Sequence, residues 1–229
     1  MINYEVDPDA LRRLVPRTTE LDLWQGRALV SVVGFLFLDT RVMGLPVPFH
    51  RNFEEINLRF YVRHQVGDEW RRGVVFVKEI VPRRAIAWVA RSFYNENYVA
   101  LPTSHAFTPE VAGFDDLASV RYACKHDGGE TALDVVPKGP AFELVAGSEE
   151  EFIAQHYWGY SRQRDGGTVE YQVEHPPWRI RVCESAAVTG NPTGLYGEVF
   201  ADSLGRAPTS AFLAEGSEIR VHRGRRVVL

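Results

Sequence analysis

Residues 53–63, which read FEEINLRFYVR, form the stretch that decides the fold. The apolar side chains in it occupy every second position: Ile56, Leu58, Phe60 and Val62. The intervening positions carry a carboxylate, an amide, a guanidinium and a phenol: Glu55, Asn57, Arg59 and Tyr61. A period of two residues predicts a β-strand with one apolar face. Side chains on one face of a strand are spaced by roughly 6.6 Å, so a small carboxylate or carbonyl compound can touch two or three of them.

The polar face of this strand has two interpretations. If it lines a cavity, Arg59 offers a planar fork for a carboxylate, while Asn57 and Tyr61 can hold a carbonyl or hydroxyl group. Glu55 would then be a general acid or base once burial raises its pKa. If the face is open to water, Glu55 and Arg59 form a pair worth less than about 1 kcal/mol. The pattern alone favours the solvent-exposed interpretation.

Composition excludes several classes of function. The net charge of −4 and the isoelectric point near 6.0 give no support for binding to nucleic acids or anionic membranes. The longest apolar run, residues 29–38, is far shorter than the ~20 residues that cross a bilayer. Residues 1–9 do not resemble a signal peptide, and the two cysteines, Cys124 and Cys183, do not form a disulfide framework. We therefore expect a cytoplasmic protein.

The remaining pattern predicts many strands and three short helices. The helices are expected at residues 7–14, at residues 82–93 after Pro82, and from the capping box Ser148–Glu151 to about Trp158. Turns are expected at His126–Gly129 and around Arg223, each closing a hairpin. The chain has no alternating strand–helix rhythm. It is therefore typical of an α+β barrel or sandwich, with residues 1–229 in a single domain.

An ordered series of motifs resembles the YqjF-like family of the acetoacetate decarboxylase-like superfamily. The matching residues are Phe53, Glu55-Ile56-Asn57, Arg59, Tyr61-Val62, Gly73-Val74, Phe76, Ala90-Arg91, Tyr98, Ala100, Glu151-Phe152 and His156–Tyr160. The resemblance implies a mostly β, cone-like closed β-barrel with a few peripheral helices. It also implies that Asn57 and Arg59 point into a polar cavity. With this resemblance, the interpretation in which the polar face of the strand lines a cavity becomes the favoured one.

The sequence departs from acetoacetate decarboxylases at their Schiff-base lysine. The corresponding segment here, residues 98–103, contains no lysine, and the chain has only Lys78, Lys125 and Lys138. Imine chemistry needs a neutral amine, which proteins make by desolvation or with a neighbouring cation. Lys78, inside an apolar strand, is the only one of the three expected to be buried. We therefore do not expect a Schiff-base decarboxylase.

Three further residues are candidates for a site. Arg91, on the second predicted helix, either reaches a ligand or covers the helix flank with its aliphatic stem. Tyr98 and His105 follow that helix, and His105 is either a proton shuttle or a structural hydrogen-bonding residue. No histidine pair has metal-ligand spacing, and no phosphate or dinucleotide loop is present, so neither a metal nor a cofactor is predicted.

Three functions are compatible with these observations. The first is a barrel that binds a small anionic or carbonyl-containing metabolite through Asn57, Arg59 and Tyr61, with Arg91 and Tyr98 as further contacts. The second is a lyase or isomerase that uses Glu55 and Arg59, with His105, for proton transfer next to a carbonyl. The third is a structural or interaction protein whose barrel is filled by its own side chains. A homo-oligomer is compatible with all three.

Overall fold

A long central strand organises the fold. In the computed structural model, which describes residues 1–42, 45–46, 51–82, 97–110 and 113–228, this strand covers Phe53–Val66. The strands in chain order are β1 (Ile2–Val6), β2 (Glu20–Leu21), β3 (Ala28–Phe37), β4 (Arg41–Val42), β5 (Leu45–Pro46), β6 (Phe53–Val66), β7 (Glu69–Val81), β8 (Tyr98–Ala100), β9 (Thr103–Thr108), β10 (Ser119–His126), β11 (Gly129–Pro137), β12 (Trp158–Arg162), β13 (Thr168–Glu174), β14 (Ile180–Gly190), β15 (Ser210–Ala214), β16 (Arg220–Val221) and β17 (Arg225–Val227). The prediction of a strand at residues 53–63 is confirmed.

The described helices are short and lie between strands. They are α1 (Pro8–Leu11), α2 (Glu149–Ala154), α3 (Pro192–Tyr196) and α4 (Ala201–Leu204), with 3₁₀ turns at Phe114–Asp116 and Glu198–Phe200. Ser148 caps α2 as predicted, since its hydroxyl accepts from the backbone N–H of Glu151, but the helix ends at Ala154 rather than near Trp158. The predicted helix over residues 82–93 falls almost entirely outside the described residues. None of the described helices has the length and apolar character needed to cross a membrane.

One sheet contains strands from both ends of the chain. The hydrogen-bonded order is β16-β13-β12-β7-β6-β3-β1-β15-β14-β11-β10-β9, with β2, β8 and β17 attached at its sides. Pairing is antiparallel except for β12 and β8, which both pair in parallel with β7. The fold is therefore α+β and mostly β, as predicted.

The expected closed barrel is not formed, because the hydrogen-bonded path is open between β16 and β9 in the described part of the chain. Strand β8 pairs with β7, and β9 pairs with β10. Leu101 and Pro102 separate these two strands, and a proline has no N–H with which to continue a ladder.

The sheet nevertheless folds over on itself around an apolar core. A Cβ atom placed on Gly34 of β3 would lie 2.7 Å from the ring of Tyr122 on β10, so the two strands face each other closely. The core is formed by one face of β6 together with β1, β3, β10 and β11. Ile56, Leu58, Phe60 and Val62 all belong to it and are fully buried. The apolar face of the predicted strand is thus the main core.

The last hairpin predicted from the sequence is wrong in its pairing. Strands β16 and β17 flank Arg223 as expected, but each pairs with β13 and not with the other. Val221 lies opposite Val173, and Val227 lies opposite Thr168. The C-terminal segment therefore extends the sheet along β13.

Candidate functional site

The polar face of β6 is buried, like the apolar one. Glu55, Asn57 and Tyr61 are each no more than 2% exposed. Phe152 of α2 covers the Tyr61 end of this face, and Tyr98 of β8 covers the Glu55 end. The solvent-exposed interpretation is therefore excluded for these three residues, whereas Arg59 is half-buried. The side chains of Glu55, Asn57 and Tyr61 point away from the main apolar core, which packs on the opposite face of β6.

Glu55 is the centre of a group of buried hydrogen-bonding side chains. Its carboxyl accepts from the amide of Asn57 at 3.0 Å and from the hydroxyl of Tyr98 at 3.1 Å. No arginine or lysine of the described segments lies within ion-pair distance of it. Burial raises its pKa from 4.5 to about 7, because the desolvation of the carboxylate outweighs the two hydrogen bonds and the more distant charge of Arg59.

Three adjacent strands bring the members of this group together. Asn57 on β6 lies opposite Glu79 on β7, and Glu79 lies opposite Tyr98 on β8. Glu79 is only 2% exposed. We call Glu55, Asn57, Glu79 and Tyr98 the carboxyl cluster. It places two buried carboxyl groups beside a single phenol.

Tyr98 keeps its proton in this environment. Burial raises the pKa of its hydroxyl well above 10, and the charges of Glu55 and Glu79 raise it further. Tyr171 of β13 adds to the same effect, and its ring lies against Gly159 of β12, where any Cβ atom would overlap it. Tyr98 is therefore a hydrogen-bond donor throughout the physiological pH range.

The sequence did not single out Glu79 as a site residue. It lies in the apolar run of β7, where a carboxylate between Lys78 and Ile80 is out of place in a buried strand. That mismatch is the signal that identifies it. Its position next to Asn57 follows only from the β6–β7 register, which a β-bulge after Leu58 shifts by one residue.

Arg59 and Tyr61 belong to a different environment from Glu55. The guanidinium of Arg59 donates to the carbonyl of Ile153 in the last turn of α2 at 3.1 Å and lies 3.6 Å from the sulfur of Met1. The hydroxyl of Tyr61 shares a hydrogen bond with Ser31, and its ring packs against Phe152. The four polar residues predicted to act together are therefore divided between two sets of contacts.

His156, which follows α2, is buried against the side chains around Tyr61. Its ring lies 4.7 Å from that of Tyr61, centroid to centroid, and its Nε2 is 3.9 Å from the carboxylate of Asp22, beyond hydrogen-bond distance. Asp22 is instead bound by Arg72 at 2.6 Å. Burial lowers the pKa of His156 to about 4, because desolvation outweighs the attraction of Asp22. His156 is therefore neutral at physiological pH.

His105 is bonded to Glu54 and not to Glu55. Its Nδ1 lies 2.7 Å from the carboxylate of Glu54, which also accepts from the hydroxyl of Thr103 at 3.0 Å. Consecutive residues of a strand point to opposite faces, so β6 separates His105 from the carboxyl cluster. Glu54 stays ionised: burial raises its pKa, but the hydrogen bonds from His105 and Thr103 hold it below 4.5.

Lys78 of β7 lies opposite the core residue Leu58 of β6 in the sheet, so the two side chains are on the same face of the sheet. Its ammonium donates to the backbone carbonyl of Leu195 in α3, and partial burial lowers its pKa. The neighbouring Glu79 points the other way, into the carboxyl cluster. Lys78 is therefore not part of that cluster. Arg91 lies outside the described residues.

A family model matches residues 1–218 of the chain. The family is DUF2071, whose members are described as an uncharacterized conserved protein. The chain belongs to this family. It is also similar to the uncharacterized protein YqjF of Bacillus subtilis (strain 168), with 26% identity over 205 residues, which are 88% of this chain and 79% of YqjF.

Two solved structures show the same fold at low sequence identity. The enduracididine biosynthesis enzyme MppR, complexed with pyruvate, matches with a TM-score of 0.66 and 15% identity over 98% of this chain and 86% of its own. An acetoacetate decarboxylase-like enzyme from Sphingomonas wittichii RW1 matches with the same TM-score and identity over 99% and 89%. The fold is therefore acetoacetate decarboxylase-like, as the resemblance predicted.

Proposed function

We propose that the carboxyl cluster binds a small carbonyl-containing molecule and that Glu55 exchanges a proton with it. The observation that carries the proposal is the Glu55 carboxyl itself, which is buried, receives hydrogen bonds only from Asn57 and Tyr98 among the described residues, and has its pKa raised to about 7. A general acid or base works best when its pKa is near the working pH. Perturbed carboxyl groups of this kind cluster at functional sites.

The charges of the cluster favour a carbonyl group over a carboxylate as the part of the ligand that enters it. Near pH 7 Glu55 is protonated in part and Tyr98 keeps its proton, so a carbonyl oxygen can accept from the Glu55 carboxyl, or from the Tyr98 hydroxyl in place of its bond to Glu55. An ionised carboxylate would meet the negative charge of Glu55 wherever Glu55 is ionised, and like charges in a buried site repel strongly. An acidic ligand would need its carboxylate outside the cluster.

The reaction that suits these groups is proton transfer next to a carbonyl, as in a lyase or an isomerase. In such a step the hydroxyl of Tyr98 leaves Glu55 and donates to the carbonyl oxygen, while the ionised Glu55 takes a proton from the adjacent carbon and can return it. Asn57 holds the Glu55 carboxyl through its amide. Lys78 has no role in this proposal, since its amine lies on the other face of β7.

The comparisons support the choice of ligand class but not the roles of residues. MppR is described in complex with pyruvate, a small carbonyl compound, and shares the fold with this chain. At 15% identity that likeness extends to the fold alone. Pyruvate and other small 2-oxo and 3-oxo compounds are therefore the first probes.

A thermal-shift screen of small carbonyl compounds, run on wild type, Glu55→Gln and Glu54→Gln, tests binding. Ligands of the folded protein raise its melting temperature by mass action. We expect shifts in wild type and in Glu54→Gln, its matched control on the opposite face of β6, and their loss in Glu55→Gln. The absence of any shift, or equal shifts in all three proteins, would show that the carboxyl cluster is a structural hydrogen-bond network.

Deuterium exchange separates catalysis from binding. A compound that shifts the melting temperature is incubated with protein in D₂O, and the loss of the C–H signal next to its carbonyl is followed by proton NMR. We expect faster exchange with wild type and Glu54→Gln than with Glu55→Gln. Binding without accelerated exchange would show that the protein binds the compound but does not catalyse the proton transfer.

A further inference from the structure

A second candidate site lies at a depression that none of the four residues of the carboxyl cluster lines. Between β7, β12, β13 and the C-terminal strands lies an open depression of about 390 Å³. This volume is within the range of sites that hold small molecules. Its lining includes three arginines, Arg71, Arg223 and Arg225, together with Trp158, Glu170 and His222.

Part of this positive charge has a structural role. Glu170 is buried and accepts from Arg71 at 3.2 Å and from Arg225 at 2.7 Å. These bonds join β13 to β7 and to the C-terminal strand β17. The guanidinium of Arg71 also lies 4.4 Å from the ring of Trp158. One carboxylate is therefore shared by two arginines, which leaves a surplus of one positive charge.

Arg223 adds a second unbalanced charge. It is exposed, and within the described part of the chain no carboxylate pairs with it. His222 lies 2.9 Å from Glu174, so those two charges cancel when both groups are ionised. The three arginines and Glu170 together carry a net charge of about +2, and the carboxylate of Glu174 lies nearby beside His222, so the depression as a whole suits an anionic group.

We propose that this depression binds a phosphorylated small molecule, with its phosphate held by Arg223 and Arg225 beside Trp158. A guanidinium binds phosphate oxygens with two parallel N–H donors, and the side chain of Arg225 is 61% exposed, so donors not used by Glu170 are accessible. Trp158 provides an apolar wall for the remainder of the ligand. The site does not depend on the proposal for the carboxyl cluster.

The test compares Arg223→Gln with Arg220→Gln by calorimetric titration at low ionic strength. Both variants remove one exposed arginine from the same short C-terminal segment, but Arg220 does not line the depression. Arg225 is left intact because it also holds Glu170. The probes are ribose 5-phosphate, inorganic phosphate and unphosphorylated ribose.

We expect ribose 5-phosphate to bind wild type and Arg220→Gln equally, and Arg223→Gln roughly tenfold more weakly, the loss for one charge-assisted hydrogen bond. Ribose should not bind. Tighter binding of ribose 5-phosphate than of inorganic phosphate identifies a phosphorylated metabolite as the ligand, and equal binding identifies free phosphate. No binding of either phosphate, or the same loss in both variants, overturns the proposal, because the effect would then be absent or due to net charge alone.

Discussion

At the scale of single residues, the adjacent residues Glu54 and Glu55 on β6 have pKa values that are shifted in opposite directions. Glu54 is held ionised by His105 and Thr103, whereas Glu55 is buried with neutral donors and its pKa is raised to about 7. The alternation places the two glutamates on opposite faces of the strand, but it does not show their environments, since Tyr98 and His105 come from strands more than forty residues away. Burial, and not residue type, decides which of them is a candidate acid.

Glu55→Gln is expected to gain stability relative to wild type as the pH rises. The folded pKa of Glu55 is above its unfolded value of 4.5, so its contribution to stability is fully present below pH 4.5 and is lost as the pH rises through about 7. A glutamine cannot ionise and avoids this loss, which amounts to about 3 kcal/mol for such a shift in a buried group. Urea denaturation at pH 5 and pH 8 measures the difference.

Glu54→Gln is the control for this measurement. The folded pKa of Glu54 is below its unfolded value, so its contribution is present above the unfolded pKa and is lost only at lower pH. From pH 5 to pH 8 its difference from wild type should therefore stay constant. If Glu55→Gln behaves in the same way, the carboxyl of Glu55 is ionised in the folded protein and the acid–base proposal fails.

At the scale of elements, local patterns predicted strands and caps well and long-range pairing poorly. The alternation over residues 53–63 predicted β6, and the predicted hairpin turn at His126–Gly129 joins β10 to β11. The pairing of β16 and β17 with β13, and the interruption at Pro102 between β8 and β9, depend on contacts across the chain. Pro102 is a local signal for the interruption, but the sequence contains no local signal for the pairing of β16 and β17 with β13.

Arg59→Ala is expected to destabilise the fold by loosening α2. The guanidinium of Arg59 satisfies the carbonyl of Ile153, which belongs to the last turn of α2 and has no partner within the helix. Loss of a hydrogen bond from a charged group, with the acceptor left buried, costs about 2 kcal/mol. Arg63→Ala, on the same strand, removes an exposed pair with Glu20 and a contact of the guanidinium with the ring of Trp70, and should cost only about 1 kcal/mol.

Urea denaturation of the two arginine variants distinguishes a structural from a ligand-binding role. A clear loss of stability in Arg59→Ala, beyond that of Arg63→Ala, agrees with the contact to α2. Equal stabilities would mean that Arg59 is available for another partner. The sequence-based prediction that Arg59 binds a ligand would then be the better explanation of its burial.

At the scale of the whole molecule, the sheet buries both faces of its central strand. The apolar face makes the main core, and the polar face is covered by α2 and β8. Periodicity predicted the first face, and the family resemblance predicted the fold and the burial of the second. Neither indicated that Glu79 completes the site, because that depends on the register of β6, β7 and β8.

Two buried groups on this polar face have opposite effects on how stability depends on pH. His156 has a folded pKa of about 4, below its usual 6.5, so its contribution is present above pH 6.5 and falls as the pH drops towards 4. Glu55 contributes below pH 4.5 and loses that contribution towards pH 7. From pH 4.5 to 6.5 the native state therefore retains a proton on Glu55 while the unfolded state binds one on His156, and the two terms cancel.

Single substitutions should remove this cancellation in opposite directions. Relative to wild type, Glu55→Gln should become more stable with rising pH, and His156→Phe less stable, each by about 1.4 kcal/mol per pH unit between pH 4.5 and 6.5. Phenylalanine preserves the ring packing against Tyr61 and Phe152. The double variant should again run parallel to wild type. Urea denaturation between pH 4.5 and 6.5 measures the free energy of unfolding of all four proteins. If the curves of both single variants run parallel to that of wild type, the pKa values of Glu55 and His156 are not shifted in the folded protein.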